Sequence, residues 1–242
     1  MIFLKILLVL ILLGLLRKLI WCLRWLWCRH RGTEPPAEPH GMPHQSGRIF
    51  EAHFREADAP TPDVPQPFGY KAAWLAARCR DPRALATALG SQDYWSASWE
   101  SGLAAVENGG VFVSPQLGDF ALAVGVTDPA TELLENLAAQ FPEVQYFASC
   151  RTLDYVGWLK YADGVLVRRY CYSGEAGEVL WEDGPLTPEE LALGFDRFPR
   201  KGGPETGVFP DEEDVLHIAA AWGVDPAFEE KTFPPDTGWI LK

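Results

Sequence analysis

The amino-acid sequence predicts an α+β domain: an antiparallel sheet of about five or six strands with flanking helices, preceded by one N-terminal transmembrane helix. Residues 144–182 predict the sheet, because aromatic and β-branched residues fill short runs between turn residues. Apolar residues at helical spacing before, between and after these runs predict the helices. A long apolar run near the N-terminus predicts the membrane span.

Residues 1–31 form the first predicted unit, a membrane anchor with a basic, tryptophan-rich juxtamembrane segment. Within residues 2–20 the only charged residues are Lys5, Arg17 and Lys18, which lie towards the ends of the run. A helix of this length covers roughly 28 Å, close to the thickness of a hydrocarbon core. A cleaved signal peptide is the rival interpretation, but basic and tryptophan-rich residues follow the apolar run where a polar cleavage region would be expected.

Basic and aromatic residues after the apolar run are typical of a membrane–water interface; they are Trp21, Arg24, Trp25, Trp27, Arg29 and Arg31. More positive charge follows the apolar run than precedes it, so the positive-inside rule predicts a cytoplasmic location for the domain that follows. We expect contact with membrane lipid through residues 2–28. A helix lying in the interface is the alternative, since Arg17, Arg24 and Arg31 recur every seven residues.

Residues 32–68 are predicted to be a proline-rich linker, and residues 69–242 an acidic α+β globular domain. The linker's prolines favour a semi-extended spacer; they are Pro35, Pro36, Pro39, Pro43, Pro60, Pro62, Pro65 and Pro67. His40 and His44 are neighbours in this linker, but two ligands without a fixed backbone do not predict a metal site. We predict no metal site and no cofactor.

The first half of the domain is predicted to be mainly helical. Residues 70–79 have a helical pattern, Asp81-Pro82 supplies an N-cap and a first-turn proline, and Gly90 ends that second helix. Residues 96–108 predict a third helix. Two strands and a further helix follow, at 111–113, at 120–126 and from Thr127-Asp128-Pro129 onwards.

The second half is predicted to hold the central strands and two more helices. Thr187-Pro188-Glu189-Glu190 resembles a capping box that opens a short helix ending at Gly194. Residues 210–222 predict the last helix, which Gly223 closes.

Asp163-Gly164 predicts a two-residue hairpin turn, because a type I′ turn needs two residues that tolerate positive φ. This loop pairs Tyr161 with Leu166, Leu159 with Arg168, Trp158 with Arg169 and Tyr155 with Tyr172. Arg168 then interrupts an apolar face, where an arginine must be paired or reach solvent. Arg168 is predicted to form either a structural ion pair or a ligand contact. Trp158 is predicted to stack with Arg169.

The formal net charge of −12 hides a strong asymmetry. The first 31 residues contain only basic charges, so the remainder is more acidic than the whole. A body this acidic repels nucleic acid and attracts basic partners, although solubility alone also explains it. Three of the five cysteines, Cys79, Cys150 and Cys171, lie in the domain without CxxC spacing, which favours reduced thiols.

Motifs for familiar chemistry are missing from the sequence: there is no phosphate loop, GxSxG elbow, HExxH or dinucleotide fingerprint. His217 is the only histidine in the domain, and we interpret it as a packed structural residue, so no catalytic residue is predicted. The acidic run Asp211, Glu212, Glu213 and Asp214 has two interpretations. It either complements the dipole of the last helix or forms a surface patch for a basic protein.

Four segments resemble a family of uncharacterised bacterial proteins with no established activity: VQYFAS, DYVGWLKYADGVLVRRYCY, GEVLWEDGPLTPEE and FPDEEDVLHIAAAWGVDP. They lie within residues 95–226. The resemblance implies a bacterial origin and an intact domain, and it implies no activity or site residue. With the anchor, it predicts a single-pass protein of the bacterial inner membrane with a signal anchor and a cytoplasmic domain.

These observations favour a membrane-tethered, non-enzymatic interaction protein, in the sharpest form an immunity-type inhibitor that binds a basic toxin. The candidate partner-binding residues are Asp211, Glu212, Glu213, Asp214 and Arg168. An envelope-associated scaffold or adaptor is one alternative. A carboxylate-based hydrolase is the other, and it requires a cleft with two acids whose pKa values differ.

Overall fold

The computed structural model describes residues 60–91, 94–152, 154–203, 207–229 and 231–241. The predicted anchor, with its lipid contacts at residues 2–28, and the linker up to residue 59 lie outside these residues. No helix in the described ranges combines the length and the apolar character that crossing a bilayer requires.

The domain is built on one antiparallel sheet, which confirms the α+β class. The sheet has nine strands instead of the predicted five or six. The strands are β1 (Ala73–Arg78), β2 (Tyr94–Ala97), β3 (Val111–Val113), β4 (Phe120–Val124), β5 (Glu143–Cys150), β6 (Tyr155–Ala162), β7 (Val165–Ser173), β8 (Glu178–Asp183) and β9 (Gly238–Leu241).

Three strands account for the larger sheet. β1 was predicted as part of a helix at 70–79, and β2 overlaps the start of the predicted helix at 96–108. β9 was not predicted at all. The sequence of β1, AWLAAR, lacks alternation because its central residues are buried on both faces of the sheet. A short run of this kind cannot be told from a buried helix by its periodicity.

The strand order is β2-β9-β3-β4-β1-β5-β6-β7-β8, which places β1 and β5 at the centre and β2 and β8 at the edges. The helices are α1 (Pro82–Ala88), α2 (Trp99–Glu107), α3 (Thr131–Gln140), α4 (Pro188–Ala192) and α5 (Glu212–Trp222), with a 3₁₀ turn at Phe195–Arg197. The predicted helices between strands are confirmed, but among the described residues a strand, and not a helix, stands first and last in the domain.

Both faces of the sheet are covered. On one face α1 and α3 bury a cluster of aliphatic residues that includes Leu75, Leu137 and Leu159. On the other face α2 and α5 cover an aromatic layer, in which Trp74 stacks on Phe147 with 5.1 Å between ring centroids. Trp222, the last residue of α5, continues this layer, with its ring 5.7 Å from that of Phe147.

The hairpin at Asp163-Gly164 is confirmed: the two residues have φ values of 49° and 77° and connect β6 directly to β7. The predicted register is wrong beyond the first pair. Tyr161 does face Leu166, but a bulge between Lys160 and Tyr161 shifts every later pair by one residue. The observed pairs are Lys160–Arg168, Leu159–Arg169, Trp158–Tyr170 and Tyr155–Ser173.

The bulge moves Arg168 to the face that carries Trp158 and α4. The predicted stacking of Trp158 on Arg169 is consequently wrong. Trp158 stacks on Tyr170, with 4.8 Å between ring centroids, and the guanidinium of Arg169 lies 4.7 Å from the ring of Trp181.

The fold begins before the predicted boundary at residue 69. The carboxylate of Asp63 accepts hydrogen bonds from the backbone N–H groups of Trp99 and Glu100, at 2.6 and 3.0 Å, and so caps α2. Asp63 also forms a β-bridge with Asp236. The end of the proline-rich segment is therefore part of the packed domain.

The predicted start signals of two helices are confirmed: Asp81 caps α1, and Thr187 and Glu190 form the capping box of α4. The structure adds Asp211 as the N-cap of α5. In contrast, α3 begins at Thr131, after the predicted Thr127-Asp128-Pro129 start, and its N-cap Ala130 provides no side-chain hydrogen bond.

Candidate functional site

A cleft of about 200 Å³ opens where the N-terminus of α5 meets the ends of β5, β6 and β7. Its lining combines carboxylates, aromatic rings and one arginine. The lining residues are Tyr70, Cys150, Arg151, Asp154, Tyr155, Val156, Tyr172, Pro210, Asp211, Glu212 and Glu213. The cleft thus includes three of the four acids that the sequence singled out.

The first turn of α5 distributes its acids in three directions. Asp211 accepts hydrogen bonds from the backbone N–H groups of Glu213 and Asp214, and the carboxylate of Asp214 accepts one from the N–H of Asp211 at 2.9 Å. This reciprocal capping box uses Asp211 and Asp214 to begin the helix. Glu213 is exposed, whereas Glu212 points inwards and is buried.

Glu212 is the carboxylate that the fold holds most firmly. Its Oε1 accepts hydrogen bonds from the backbone N–H of Lys71 at 3.0 Å and from the hydroxyl of Ser149 at 3.2 Å. Lys71 has a φ of 51°, a strained conformation for a residue with a side chain, and the hydrogen bond to Glu212 helps to hold it. Glu212 therefore joins α5 to β5 and to the segment before β1.

The second oxygen of Glu212 has an exposed partner. Its Oε2 accepts a hydrogen bond from Arg151 Nε at 2.6 Å, although the side chain of Arg151 is 68% exposed and that of Glu212 only 8%. The guanidinium of Arg151 also lies 5.9 Å from the ring of Tyr70. The ion pair thus has one partner inside the domain and one at its surface.

The electrostatics of Glu212 follow from these contacts. Burial alone raises the pKa of Glu212, but the Lys71 N–H, Arg151 and Ser149 together hold it below its ordinary value. Burial raises the pKa of Asp214, against the hydrogen bond from Asp211. Two acids in one helical turn therefore differ in their affinity for protons.

Aromatic rings line the cleft. Tyr70 and Phe209 are each 53% exposed, and Phe209 stacks on the buried Tyr172 with 5.6 Å between ring centroids. Deeper in the domain, burial raises the pKa of Tyr155, which shares a hydrogen bond with Cys171, and burial raises the pKa of that thiol to about 11. The cleft therefore presents neutral aromatic surfaces beside its carboxylates.

The arrangement suits cation binding better than acid–base catalysis. Four carboxylates and one guanidinium belong to the lining, which leaves an excess of negative charge. Glu212 is a weak base, because its oxygens already accept three hydrogen bonds that stabilise the anion. Aromatic faces beside carboxylates favour a cationic group with a flat or apolar body.

Arg168 lies in a different part of the molecule. Its side chain is 1% exposed, its Nε donates to Glu190 Oε1 at 2.8 Å, and its Nη1 donates to the carbonyl of Gly184 at 3.0 Å. Nη1 also lies 3.4 Å from Glu182. The structure thus supports the structural ion pair, and it leaves Arg168 no surface with which to contact a partner.

Glu190 completes this internal network. Besides Arg168, its carboxylate accepts hydrogen bonds from the indole N–H of Trp158 at 2.9 Å and from the backbone N–H of Thr187 at 2.8 Å. The indole N–H of Trp222 donates to the hydroxyl of Thr187 at 3.4 Å. The network therefore meets the C-terminal end of α5, and the cleft lies at its N-terminal end.

One further sequence-based interpretation is wrong. His217 was interpreted as a packed residue, but the side chain is exposed on α5. Within the described part of the chain, no three side chains of His, Cys, Asp or Glu are grouped closely enough to hold a metal ion.

Sequence reasoning missed Tyr70, Arg151, Asp154 and Phe209. Tyr70 was assigned to a helix, and the other three stand in connections that no motif marks. Only the ordered packing of β5, β6 and α5 brings these residues to one place.

No family model, curated protein or solved structure matches this chain. The resemblance to uncharacterised bacterial proteins stays a prediction.

Proposed function

We propose that this protein is a membrane-tethered, non-enzymatic interaction protein of the bacterial inner membrane, whose domain binds a basic protein at the cleft. In its sharpest form it is an immunity-type inhibitor that neutralises a basic toxin. The observation that carries the proposal is the cleft itself, in which Asp154, Asp211 and Glu213 stand beside the exposed ring of Tyr70. Aromatic residues are typical anchors of protein interfaces.

The charge of the chain supports the same partner. The overall net charge is −12, and the basic residues of 1–31 belong to the predicted anchor. An acidic surface raises the association rate of a basic protein and rejects acidic ones. Because exposed charges are screened beyond about 10 Å at 0.1 M salt, this steering weakens as salt rises.

The hydrolase alternative has less support from the site. The cleft does contain several carboxylates, and the pKa of Glu212 is lowered while that of Asp214 is raised. Asp214, however, does not line the cleft and is committed to the capping box of α5. A general acid must reach the substrate, so this pair does not meet the requirement.

The test uses the full-length chain in detergent micelles and compares two charge-matched double variants. Asp154→Asn with Glu213→Gln removes two negative charges from the cleft. Asn tolerates the φ of 45° at residue 154, so the loop is preserved. Glu132→Gln with Glu135→Gln removes two exposed charges from α3, on the opposite face of the sheet.

Candidate partners are the products of genes adjacent to the one that encodes this chain. We expect a basic partner whose association slows at least about fivefold in the cleft variant, most strongly at low salt. We expect the α3 variant to change the rate much less. A partner that is not basic, equal rates for both double variants, or turnover of a substrate by the protein alone would contradict the proposal.

A further inference from the structure

We propose that the cleft accepts one arginine side chain of the partner, and that Arg151 occupies the arginine's place on Glu212 in the free protein. This inference rests on the proposed function, since it names the chemical group by which the basic protein is recognised. It makes Glu212 the specificity-determining residue of the cleft.

The first step concerns the two oxygens of Glu212. Oε1 is bound from inside the domain, by the Lys71 N–H and the Ser149 hydroxyl. Oε2 is bound only by Arg151 among the hydrogen bonds of the described residues. The fold therefore fixes the position of the carboxylate through one oxygen and presents the other to a guanidinium.

The second step concerns the hold on Arg151. Its side chain is 68% exposed, so its ion pair is screened by water and its flexible stem loses entropy when it docks. Its guanidinium also lies 5.9 Å from the ring of Tyr70. The Arg151 side chain can therefore leave Glu212 and become hydrated, whereas the buried Glu212 carboxylate stays in place.

The third step concerns the group that replaces Arg151. A guanidinium is planar, donates to a carboxylate oxygen in its own plane, and stacks on aromatic faces. Tyr70 and Tyr172 line the cleft and provide such faces, and Phe209 stacks on Tyr172 beside them. A lysine ammonium has no flat face and is more strongly hydrated, so we expect arginine to be preferred over lysine.

The fourth step concerns the energetics of exchange. An incoming arginine replaces Arg151 on the same carboxylate, so the bound state again pairs Glu212 with a cation. The apparent affinity equals the intrinsic affinity multiplied by the fraction of time for which Arg151 is undocked. A side chain docked about nine-tenths of the time weakens the apparent affinity about tenfold. Removal of Arg151 should therefore tighten the binding of a free guanidinium compound.

The test titrates argininamide and lysinamide into the full-length chain in detergent micelles and follows binding by ligand-observed NMR. We expect Arg151→Ala to bind argininamide about tenfold more tightly than the parent. Lysinamide should bind more weakly than argininamide to both proteins. Equal affinity of the parent and Arg151→Ala for argininamide, or equal binding of the two amides, would overturn the inference.

Two further variants locate the binding site. Adding Glu212→Gln to Arg151→Ala should abolish the gain. Because that change also removes internal hydrogen bonds, Arg151→Ala with Tyr70→Ala provides a second measurement at an exposed position, and it should weaken argininamide binding several-fold. Retention of the full gain in either double variant would overturn the inference.

The two proposals fail separately. If the cleft variant slows association with a basic protein but argininamide does not bind Arg151→Ala more tightly, the arginine inference is wrong and the proposed function stands. If argininamide binds as expected but no basic protein is recognised through the cleft, the arginine site stands and the proposed function is wrong.

Discussion

Two buried glutamates near opposite ends of α5 each form an ion pair with an arginine, and the two pairs differ in how far the arginine is exposed. Glu190 belongs to the network beside Trp222, and Glu212 begins the helix about 15 Å away along its axis. Each glutamate lies in the first turn of a helix, is almost fully buried and binds an arginine. The arginine of Glu190 is 1% exposed, whereas that of Glu212 is 68% exposed.

The difference lies in the accessibility of the counter-ion and not in the burial of the acid. Arg168 has internal partners for its donors, so its exchange would leave Glu190 as an uncompensated buried charge. Arg151 can leave Glu212 without any rearrangement of the core, and another cation can take its position. A buried carboxylate with an exposed partner is thus a better candidate for recognition than a fully enclosed pair.

The sharpest way to test this comparison is to remove the internal cation. Arg168→Met should lower the free energy of unfolding by about 3–5 kcal/mol, because Glu190 then stays buried without its counter-ion. Urea denaturation measures this change. The matched control is Arg169→Met, at the next residue of β7, whose pair with Asp183 lies at the surface; it should cost less than about 1 kcal/mol. Equal losses in the two variants would show that Arg168 is not the internal anchor described above.

The next largest effect should come from Glu212. Glu212→Gln should lower the free energy of unfolding by about 1–3 kcal/mol, because the new amide places a donor against Arg151. An exposed acid in the first turn of a helix contributes only about 0.3–1 kcal/mol, and the burial of Glu212 makes its neutralisation more costly than that. Thermal or urea unfolding of Glu213→Gln provides the control, with a change of less than about 0.5 kcal/mol. A stable Glu212→Gln variant would contradict the geometry of the site.

The pH dependence of stability should reveal the same residue. The pKa of Glu212 is lowered in the folded protein, and so is that of Glu143, where bonds from Lys160, Gln145 and Arg78 outweigh burial. A lowered folded pKa stabilises the fold above the ordinary pKa of 4.5, and this stability is lost as the pH falls towards the folded pKa. We therefore expect the melting temperature to fall below about pH 4.5, with a shallower slope in Glu212→Gln. Identical slopes would mean that Glu212 has its ordinary pKa.

The smallest effect on stability should come from Arg151. Arg151→Ala should lower the free energy of unfolding by less than about 1 kcal/mol, since the arginine is exposed and its ion pair is screened. Urea denaturation of this variant beside Arg168→Met compares the two arginines directly. A loss as large as that of Arg168→Met would remove the distinction between the enclosed pair and the open one.

Short-range features of this fold could be predicted from the sequence. Asp163-Gly164, the Thr187–Glu190 capping box and the Asp81 cap depend on residues at most a few positions apart, so local chemistry decides them. The bulge at Lys160 and Tyr161 depends on how β7 packs against its neighbours, and no local pattern marks it. The wrong register for Arg168 follows directly from that bulge.

The candidate site could be predicted only in part, for the same reason. Glu212 and Glu213 are adjacent acids with similar sequence surroundings, yet one is buried and the other exposed. Lys71 and Ser149 determine the difference, and they lie 141 and 63 positions away from Glu212 in the chain. A helix N-terminus explains why acids stand there, but it does not indicate which of them faces a cleft.

The position of β9 has a consequence for the biosynthesis of the domain. This strand comes after all the others in the chain, yet it lies between β2 and β3 and pairs with both. A nascent chain that has reached residue 237 can assemble only the part of the sheet from β3 to β8, with the outer edge of β3 open and β2 unpaired. The ribosome delivers the strand that closes this gap last. Until β9 pairs, β3 carries an unprotected strand edge of the kind that promotes association with other chains.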